Sequence, residues 1–319
     1  MLTLKGCFLL GMATSCLSAA NSIPADATEE TKAPTLASPY QPYKLKLFPY
    51  FLPPARPHGL FIKARINGGP QLRLLLDSGA EFIVLDKKSA AKSGHTGGKV
   101  LDLVGAGKTV RPALQSVAEI VDLGELAFRN CPIVKVDGKL AEGIDGVVPL
   151  ALFSGFQLRL DIPGRSLSLI PYSAEHPSAE DGFVKVRTEH RLLFIASRLE
   201  GRKEAYLLFD TGSSFNIIAN TTAAALNLSR ALAPAIPVQP GAGAVDGRLL
   251  HHGIAAEIGG RTMALDPVVA IDLSEISRRN QIEVSGVIGH PALLESVVTI
   301  DYRDSMIRIA NAREERASR

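Results

Sequence analysis

Two short apolar runs in this chain end in the same kind of polar loop. Residues 74–76 lead into Asp77-Ser78-Gly79, and residues 207–209 lead into Asp210-Thr211-Gly212, 133 positions further along. A continuous apolar run bounded by turn residues is typical of a strand that is buried on both faces. The pattern therefore predicts two buried strands, each of which delivers an acid, a hydroxyl and a glycine to a loop.

The surroundings of the two loops also match, which indicates an internal repeat. The further matches at an offset of 133 are 60–62 with 193–195, Arg65 with Arg198, Gly68 with Gly201, and Phe82 with Phe215. A second block matches at an offset of 140 and includes Gly146 with Gly286 and Asp161 with Asp301. The larger offset predicts a longer loop in the second copy, near residues 274–281.

The spacing of apolar positions predicts similar elements in both copies. Alternating apolar residues predict a first strand at 44–47 and a closing hairpin in each copy, at 157–170 and 297–309. Helical patches are predicted after the two acidic loops, at residues 87–92 and 221–228. The segment 48–57 is rich in proline and aromatic residues and predicts a loop or an edge strand.

The repeat divides the chain into two β-rich lobes. The first copy spans residues 43–172 and the second residues 183–312, with a polar linker at 173–182. We interpret the charged tail at 313–319 as a solvated end and not as a binding arm. This organisation predicts two similar lobes with a cleft between them.

The N-terminal segment has the pattern of an export signal. A positive residue, a short apolar stretch and small residues at 18–20 predict a signal peptide at 1–20, followed by a disordered spacer or pro-segment at 21–42. Cys16 offers an alternative, because it follows Ala13-Thr14-Ser15 and would then carry a lipid. We expect an exported, periplasmic or extracellular protein that contacts a membrane only if Cys16 is lipidated.

Composition narrows the function classes. The 319 residues are 46% hydrophobic and 21% charged. The net charge of +3 does not indicate nucleic-acid binding. Cys131 is the only cysteine beyond the predicted signal, so it cannot form an internal disulfide, and its apolar context predicts a buried side chain. We interpret His251 and His252 as loop residues, since no further His or Cys stands at metal-ligand spacing, and we expect a structural role for His290.

Paired aspartates permit hydrolysis without a covalent intermediate. Two carboxyl groups at close range cannot both ionise, so one pKa falls and the other rises. The ionised group can take a proton from water, and the neutral group can protonate a substrate carbonyl. Asp77 and Asp210 are the candidate pair, Ser78 and Thr211 would brace their loops, and the glycines Gly79 and Gly212 would allow tight turns.

The chain resembles the pepsin and retropepsin superfamily of aspartic proteases over nearly all of residues 43–312. The resemblance rests on the segments 75–80 and 208–213, and on the later bracing segment 287–289. The matching segment of the first copy, 147–149, has Pro149 in place of the family's glycine. The resemblance implies an all-β fold of two homologous retropepsin-like β-barrel lobes with pseudo-twofold symmetry, a cleft between them and a few short helices.

The same resemblance suggests residues that contact substrate. Glu81 stands where retropepsins often carry an acid that holds the substrate backbone, and Ser214 occupies that place in the second copy. Ala80 and Ser213, beside the acids, are further candidates. The resemblance also implies a Gly-rich flap hairpin that closes over substrate in each lobe, with tips at Gly105 and Gly107 and at Gly241 and Gly243; plain hairpin turns are the alternative interpretation of these glycines.

These features predict an aspartic endopeptidase that acts on polypeptide as a monomer. Water is the nucleophile, so neither a metal nor a cofactor is needed. A catalytically inactive peptide-binding module is the alternative interpretation. A third is that lobes pair between two chains instead of within one.

Overall fold

The computed structural model describes residues 12–13, 38–52, 56–104, 110–124, 126–238 and 245–317. Most of the predicted signal peptide at 1–20, including Cys16, and residues 21–37 of the spacer lie outside these ranges. Residues 12–13 form a short strand, β1 (Met12–Ala13), that pairs with residues 103–104. Export and lipidation stay predictions. None of the described helices is long and apolar enough to cross a membrane.

The described chain is mostly β and contains two sheets. The strands before residue 173 are β2 (Tyr43–Lys46), β3 (Phe48–Leu52), β4 (Arg56–Ile66), β5 (Leu72–Asp77), β6 (Ile83–Asp86), β7 (Lys99–Val104), β8 (Val110–Leu123), β9 (Leu126–Val136), β10 (Gly146–Pro149), β11 (Gln157–Asp161) and β12 (Ser166–Ile170). The later strands are β13 (Val184–Glu189), β14 (Leu192–Leu199), β15 (Lys203–Phe209), β16 (Asn216–Ala219), β17 (Ile236–Val238), β18 (Val245–Leu249), β19 (Ile254–Ile258), β20 (Arg261–Leu265), β21 (Val268–Ile271), β22 (Val284–Ile288), β23 (Ser296–Asp301) and β24 (Met306–Asn311).

The helices are short. They are α1 (Lys87–Lys92), α2 (Asn220–Ala225), α3 (Ser274–Asn280) and α4 (Ala312–Ala317), with 3-10 turns at Leu150–Phe153, Leu228–Ala231 and His290–Leu293. The Asp86 carboxylate caps α1 by accepting a hydrogen bond from the N–H of Ser89 at 2.7 Å. The predicted helical patches are therefore confirmed at 87–92 and, as α2 and a following 3-10 turn, at 221–228.

The described strands form one sheet of nine strands and one of fifteen. The larger sheet joins the halves of the chain, because β11 of the first half pairs antiparallel with β23 of the second. The first-half strands β12 and β2 extend the same sheet beyond β11. The predicted closing hairpins are confirmed as β11–β12 and β23–β24. The predicted edge is confirmed at β3, which ends the order of the nine-stranded sheet.

One expectation needs correction, and a second is confirmed only in part. The insertion near 274–281 is not an extended loop but the helix α3, which buries Ile276 and Asn280. The tail is largely solvated, as predicted, since residues 313, 314, 316 and 317 are exposed, but residues 312–317 also form α4. Within α4 the Glu315 side chain is buried. Its Oε1 accepts a hydrogen bond from Arg308 Nη2 at 2.9 Å and lies 3.6 Å from Arg159 Nη2. An amphipathic turn of helix thus packs one acid against the sheet.

The core explains why the runs before the two acids are continuously apolar. Leu74, Leu76, Leu207 and Phe209 belong to one large cluster that both halves share. The residues between them face the other way: Leu75 enters a cluster within the first half, and Leu208 enters one within the second. Both strands are therefore buried on both faces, which removes the alternation of a half-exposed strand.

Candidate active site

Each aspartate stands at the end of a central strand. Asp77 is the last residue of β5, and Asp210 directly follows β15. In each half a second strand runs parallel to the first and supports it: β10 beside β5 and β22 beside β15. Pro149 lies opposite Asp77 in this register, so the proline does not interrupt the pairing.

The two loops are locked together by hydroxyl groups. The N–H of Ser78 donates to Thr211 Oγ1 at 3.1 Å, and the N–H of Thr211 donates to Ser78 Oγ at 3.0 Å. Each hydroxyl then donates across the junction, Ser78 Oγ to the carbonyl of Phe209 and Thr211 Oγ1 to that of Leu76, both at 2.8 Å. All four bonds are buried, so the network fixes the position of one aspartate relative to the other.

The glycines are required by close approach. A Cβ at Gly79 would lie 2.7 Å from Cγ of Asp210, and a Cβ at Gly212 would lie 2.5 Å from Cγ of Asp77. Each glycine therefore packs against the carboxyl group of the opposite loop. This reciprocal packing brings the two aspartates into one site.

Each carboxyl group keeps one oxygen occupied and one available. Asp77 Oδ1 accepts from the N–H of Gly79 at 2.7 Å, and Asp210 Oδ1 accepts from Gly212 at 2.9 Å and from Ser213 at 3.1 Å. The Oδ2 atoms of both are buried and accept no hydrogen bond from an N–H or hydroxyl group of the described residues. A shared proton, water or substrate can occupy that position.

The sequence predicted that one pKa of the pair falls, but both pKa values are raised. The two acids still differ in how readily they ionise. Burial and the neighbouring Asp210 carboxylate raise the pKa of Asp77 well above its ordinary value. Burial raises the pKa of Asp210 only to about 6, because the carboxyl of Asp77 and the backbone N–H groups of Gly212 and Ser213 stabilise its ionised form. Asp210 is therefore the better base and Asp77 the better acid.

Glu81 lies near the pair but its carboxylate already has a partner. Arg279 of α3 donates to Glu81 Oε1 at 2.6 Å, and the two side chains are only 8% and 6% exposed. Burial raises the pKa of Glu81 to about 7, although Arg279, His190 and Arg191 favour its ionised form. Sequence reasoning missed Arg279, because it lies in the insertion that has no counterpart in the first half.

The other residues beside the acids are buried and engaged. Ala80, Ser213 and Ser214 are each at most 1% exposed. Ser213 Oγ donates to the carbonyl of Phe215 at 2.7 Å, and Ser214 Oγ donates to that of His58 at 3.3 Å. His290 donates its N–H to the carbonyl of Ser213, and burial lowers the pKa of its ring to about 4, so the ring is neutral. The expected structural role of His290 is consistent with this placement.

The remaining candidates divide into two groups. Gly105, Gly107, Gly241 and Gly243 lie outside the described residues, so the flaps stay a prediction. His251 and His252 are exposed, and Cys131 is buried, as expected, with the pKa of its thiol raised to about 11 by burial. Within the described ranges, no group of three or more His, Cys, Asp or Glu side chains could hold a metal ion.

Residues 62–148 match the family model described as aspartyl protease. The match contains Asp77, Ser78 and Gly79 and covers the parallel strand pair β5–β10 as far as Val148. No curated protein matches the chain.

Proposed function

Because residues 62–148 match an aspartyl protease domain and carry one of two interlocked aspartates, we propose that the chain is an aspartic endopeptidase. Asp77 and Asp210 are its catalytic pair, and polypeptide is its substrate. The observation that carries the proposal is the Ser78–Thr211 network, which holds two buried carboxyl groups together with an available oxygen on each.

We also propose that the halves are homologous lobes related by a pseudo-twofold axis. The strand register supports this, because Arg159 faces Thr299 in the β11–β23 pair, and these residues are 140 positions apart. Leu158 and Leu160 likewise face Ile300 and Val298, so residues equivalent under the repeat exchange places across the pair. The two bracing pairs, β5–β10 and β15–β22, support the same relation.

The difference in acidity between Asp77 and Asp210 assigns each proton transfer of the reaction to one of them. Ionised Asp210 takes a proton from water as the water oxygen bonds to the substrate carbonyl carbon, while Asp77 gives its proton to the carbonyl oxygen. A neutral tetrahedral diol results. Asp210 then returns a proton to the nitrogen as the carbon–nitrogen bond breaks, and Asp77 recovers a proton from the diol. Atoms and charge balance, and both acids end in their starting states.

The test is cleavage of an unfolded polypeptide by purified protein. We expect cleavage by the wild type, inhibition by a statine-type transition-state mimic, and loss of activity in both Asp77→Asn and Asp210→Asn. Asp137→Asn is the matched control, because Asp137 is exposed and its salt bridge is with the exposed Lys87, at 3.2 Å. Equal cleavage by wild type and Asp210→Asn would overturn the proposal, and peptide binding without cleavage would support a peptide-binding module instead.

A further inference from the structure

The halves differ at one polar contact behind the acidic loops. In the second half, Asn216 Oδ1 accepts from the N–H of Gly289 at 3.0 Å. A Cβ at Gly289 would overlap the carbonyl oxygen of Phe215, so the bracing strand packs directly on the loop. The positions that match Asn216 and Gly289 in the first half hold Ile83 and Pro149. Neither can form this bond, since Ile83 has no amide side chain and Pro149 no N–H.

A cavity lies where the first half lacks this contact. Its volume is about 210 Å³, and most of its wall is apolar. The wall residues are Phe82, Ile83, Cys131, Pro132, Pro149 and Leu152. Pro149 is the register partner of Asp77, so the cavity borders the strand pair that carries the first acid. Its size and lining suit one large apolar side chain.

Two exposed basic residues also line the cavity. His190 and Arg191 line it from the turn between β13 and β14, where both are exposed and both have left-handed backbone angles, with φ of 50° and 66°. Glu81 also lines the cavity, but its carboxylate is paired with Arg279. Arg191 favours the ionised form of Glu81 electrostatically, but within the described part of the chain it forms no salt bridge. A ligand that brings its own carboxylate would meet a guanidinium there.

We propose that this cavity is a specificity pocket for a peptide that carries a large apolar side chain next to a carboxylate. The apolar side chain fills the space between Phe82 and Pro149, and the carboxylate pairs with Arg191. Beside the second acid, the repeat places His58 of the first half where Arg191 would be and Ser214 of the second half where Glu81 would be. The preference therefore applies to one side of the site. The pocket rests on the proposed function for its choice of ligand.

The test measures binding of labelled peptides to the full chain carrying Asp210→Asn, by fluorescence anisotropy. The probes contain Leu-Glu, Leu-Gln or Ala-Glu at their centre. A fourth peptide ends in Leu with a free carboxylate, and a fifth is its amide. We expect the Leu-Glu peptide to bind roughly tenfold more tightly than Ala-Glu because of apolar burial. We expect the Leu-Glu peptide to bind roughly three- to fivefold more tightly than the Leu-Gln peptide. This factor is small because Arg191 is exposed, and solvent weakens its attraction for the carboxylate. The fourth and fifth peptides decide whether a side-chain or a terminal carboxylate is preferred.

Two variants test the assignment to this cavity. Arg191→Gln should abolish the preference for Glu over Gln, and Leu152→Phe should reduce the preference for Leu over Ala by narrowing the cavity. Arg202→Gln is the matched control, because it removes an exposed arginine from the turn between β14 and β15. Circular dichroism checks that each variant is folded.

The outcomes separate the pocket from the function. Peptides that bind without preference, a preference that survives Arg191→Gln, or no binding at all would overturn the pocket, whether or not the wild type cleaves polypeptide. A preference that depends on Arg191 in a chain that cleaves nothing would support the pocket and overturn the proposed activity alone.

Discussion

Gly79 and Gly212 set the distance between the two carboxyl groups, so a single added carbon atom at either position would disturb the site. In Gly79→Ala or Gly212→Ala the new methyl group would lie 2.5–2.7 Å from Cγ of the opposite aspartate, so the loops must separate. We expect kcat to fall about a hundredfold or more, as small displacements of catalytic groups typically cause. Steady-state kinetics on an unfolded polypeptide measure the effect.

Gly155→Ala is the control for this prediction. A Cβ at Gly155 meets no atom within 4 Å, so activity and melting temperature should remain close to wild type. Wild-type kinetics in Gly212→Ala would show that the loops can separate without cost, and that the close packing of the pair is not needed for activity.

The unequal pKa values predict the pH profile. Catalysis requires Asp210 ionised and Asp77 protonated. The pKa of Asp210 is raised to about 6 and that of Asp77 is raised further, so both conditions hold above pH 6 until Asp77 loses its proton. We expect kcat/KM to increase about tenfold per pH unit below 6, reach a maximum above it and decline at higher pH. An optimum below pH 4 would contradict the assignment, because it would require an ionised Asp210 at acid pH.

At the scale of elements, α3 ties the second half to the first through one buried ion pair. The pKa of Glu81 is raised from 4.5 to about 7, so Glu81 is ionised and paired with Arg279 only above that pH. Arg279→Gln at pH 8 would leave a buried carboxylate without its main partner. We expect the free energy of unfolding to fall by about 3–5 kcal/mol. The loss should be smaller at pH 5, because Glu81 is already protonated there in the wild type.

The adjacent arginine provides a matched control. Arg278 is 74% exposed and pairs with Glu275 within α3, so Arg278→Gln should cost about 0.5 kcal/mol or less. Denaturant unfolding at both pH values measures these differences. Equal losses in Arg278→Gln and Arg279→Gln, or a larger loss at pH 5 than at pH 8, would contradict the role of the buried pair. Adding Glu81→Gln to Arg279→Gln should recover part of the stability, since no charge then remains buried.

The contrast between β5 and α3 indicates which elements the sequence specifies directly. The strand β5 was predictable because its apolar run and its turn residues are local signals that occur twice. The helix α3 has no second copy, and its first turn has no capping side chain at Leu273, so the insertion was expected to be a loop. The Glu81–Arg279 pair depends on where that helix packs, which no local pattern encodes.

The candidate site shows the same limit. Asp77, Asp210 and the two hydroxyl residues were predictable from spacing and resemblance, because the repeat aligns them. The burial of the two aspartates was not predictable from the sequence, and it is this burial that raises the pKa values of both. Similarly, the exchange of Asn216 and Gly289 for Ile83 and Pro149 is visible in the sequence, but the cavity beside Pro149 requires the packing of four separate segments.

At the scale of the whole molecule, both acids of the site come from one chain. The β11–β23 pair joins the halves within the larger sheet, and the Ser78–Thr211 bonds join their loops. The halves of a single chain therefore suffice to build the site. A pair of chains could still form the same site by exchanging halves, and the two arrangements predict different behaviour of mixed variants.

Mixing two inactive variants distinguishes these arrangements. Asp77→Asn and Asp210→Asn should each be inactive, and unfolding them together and refolding the mixture should restore no cleavage, because every site still contains one asparagine. If halves were exchanged between chains, a mixed pair would contain one site with both aspartates, and activity would return. Wild type refolded with the double variant Asp77→Asn/Asp210→Asn controls for the yield of refolding, since its activity should follow the amount of wild type alone. Recovered cleavage in the first mixture would contradict the single-chain site.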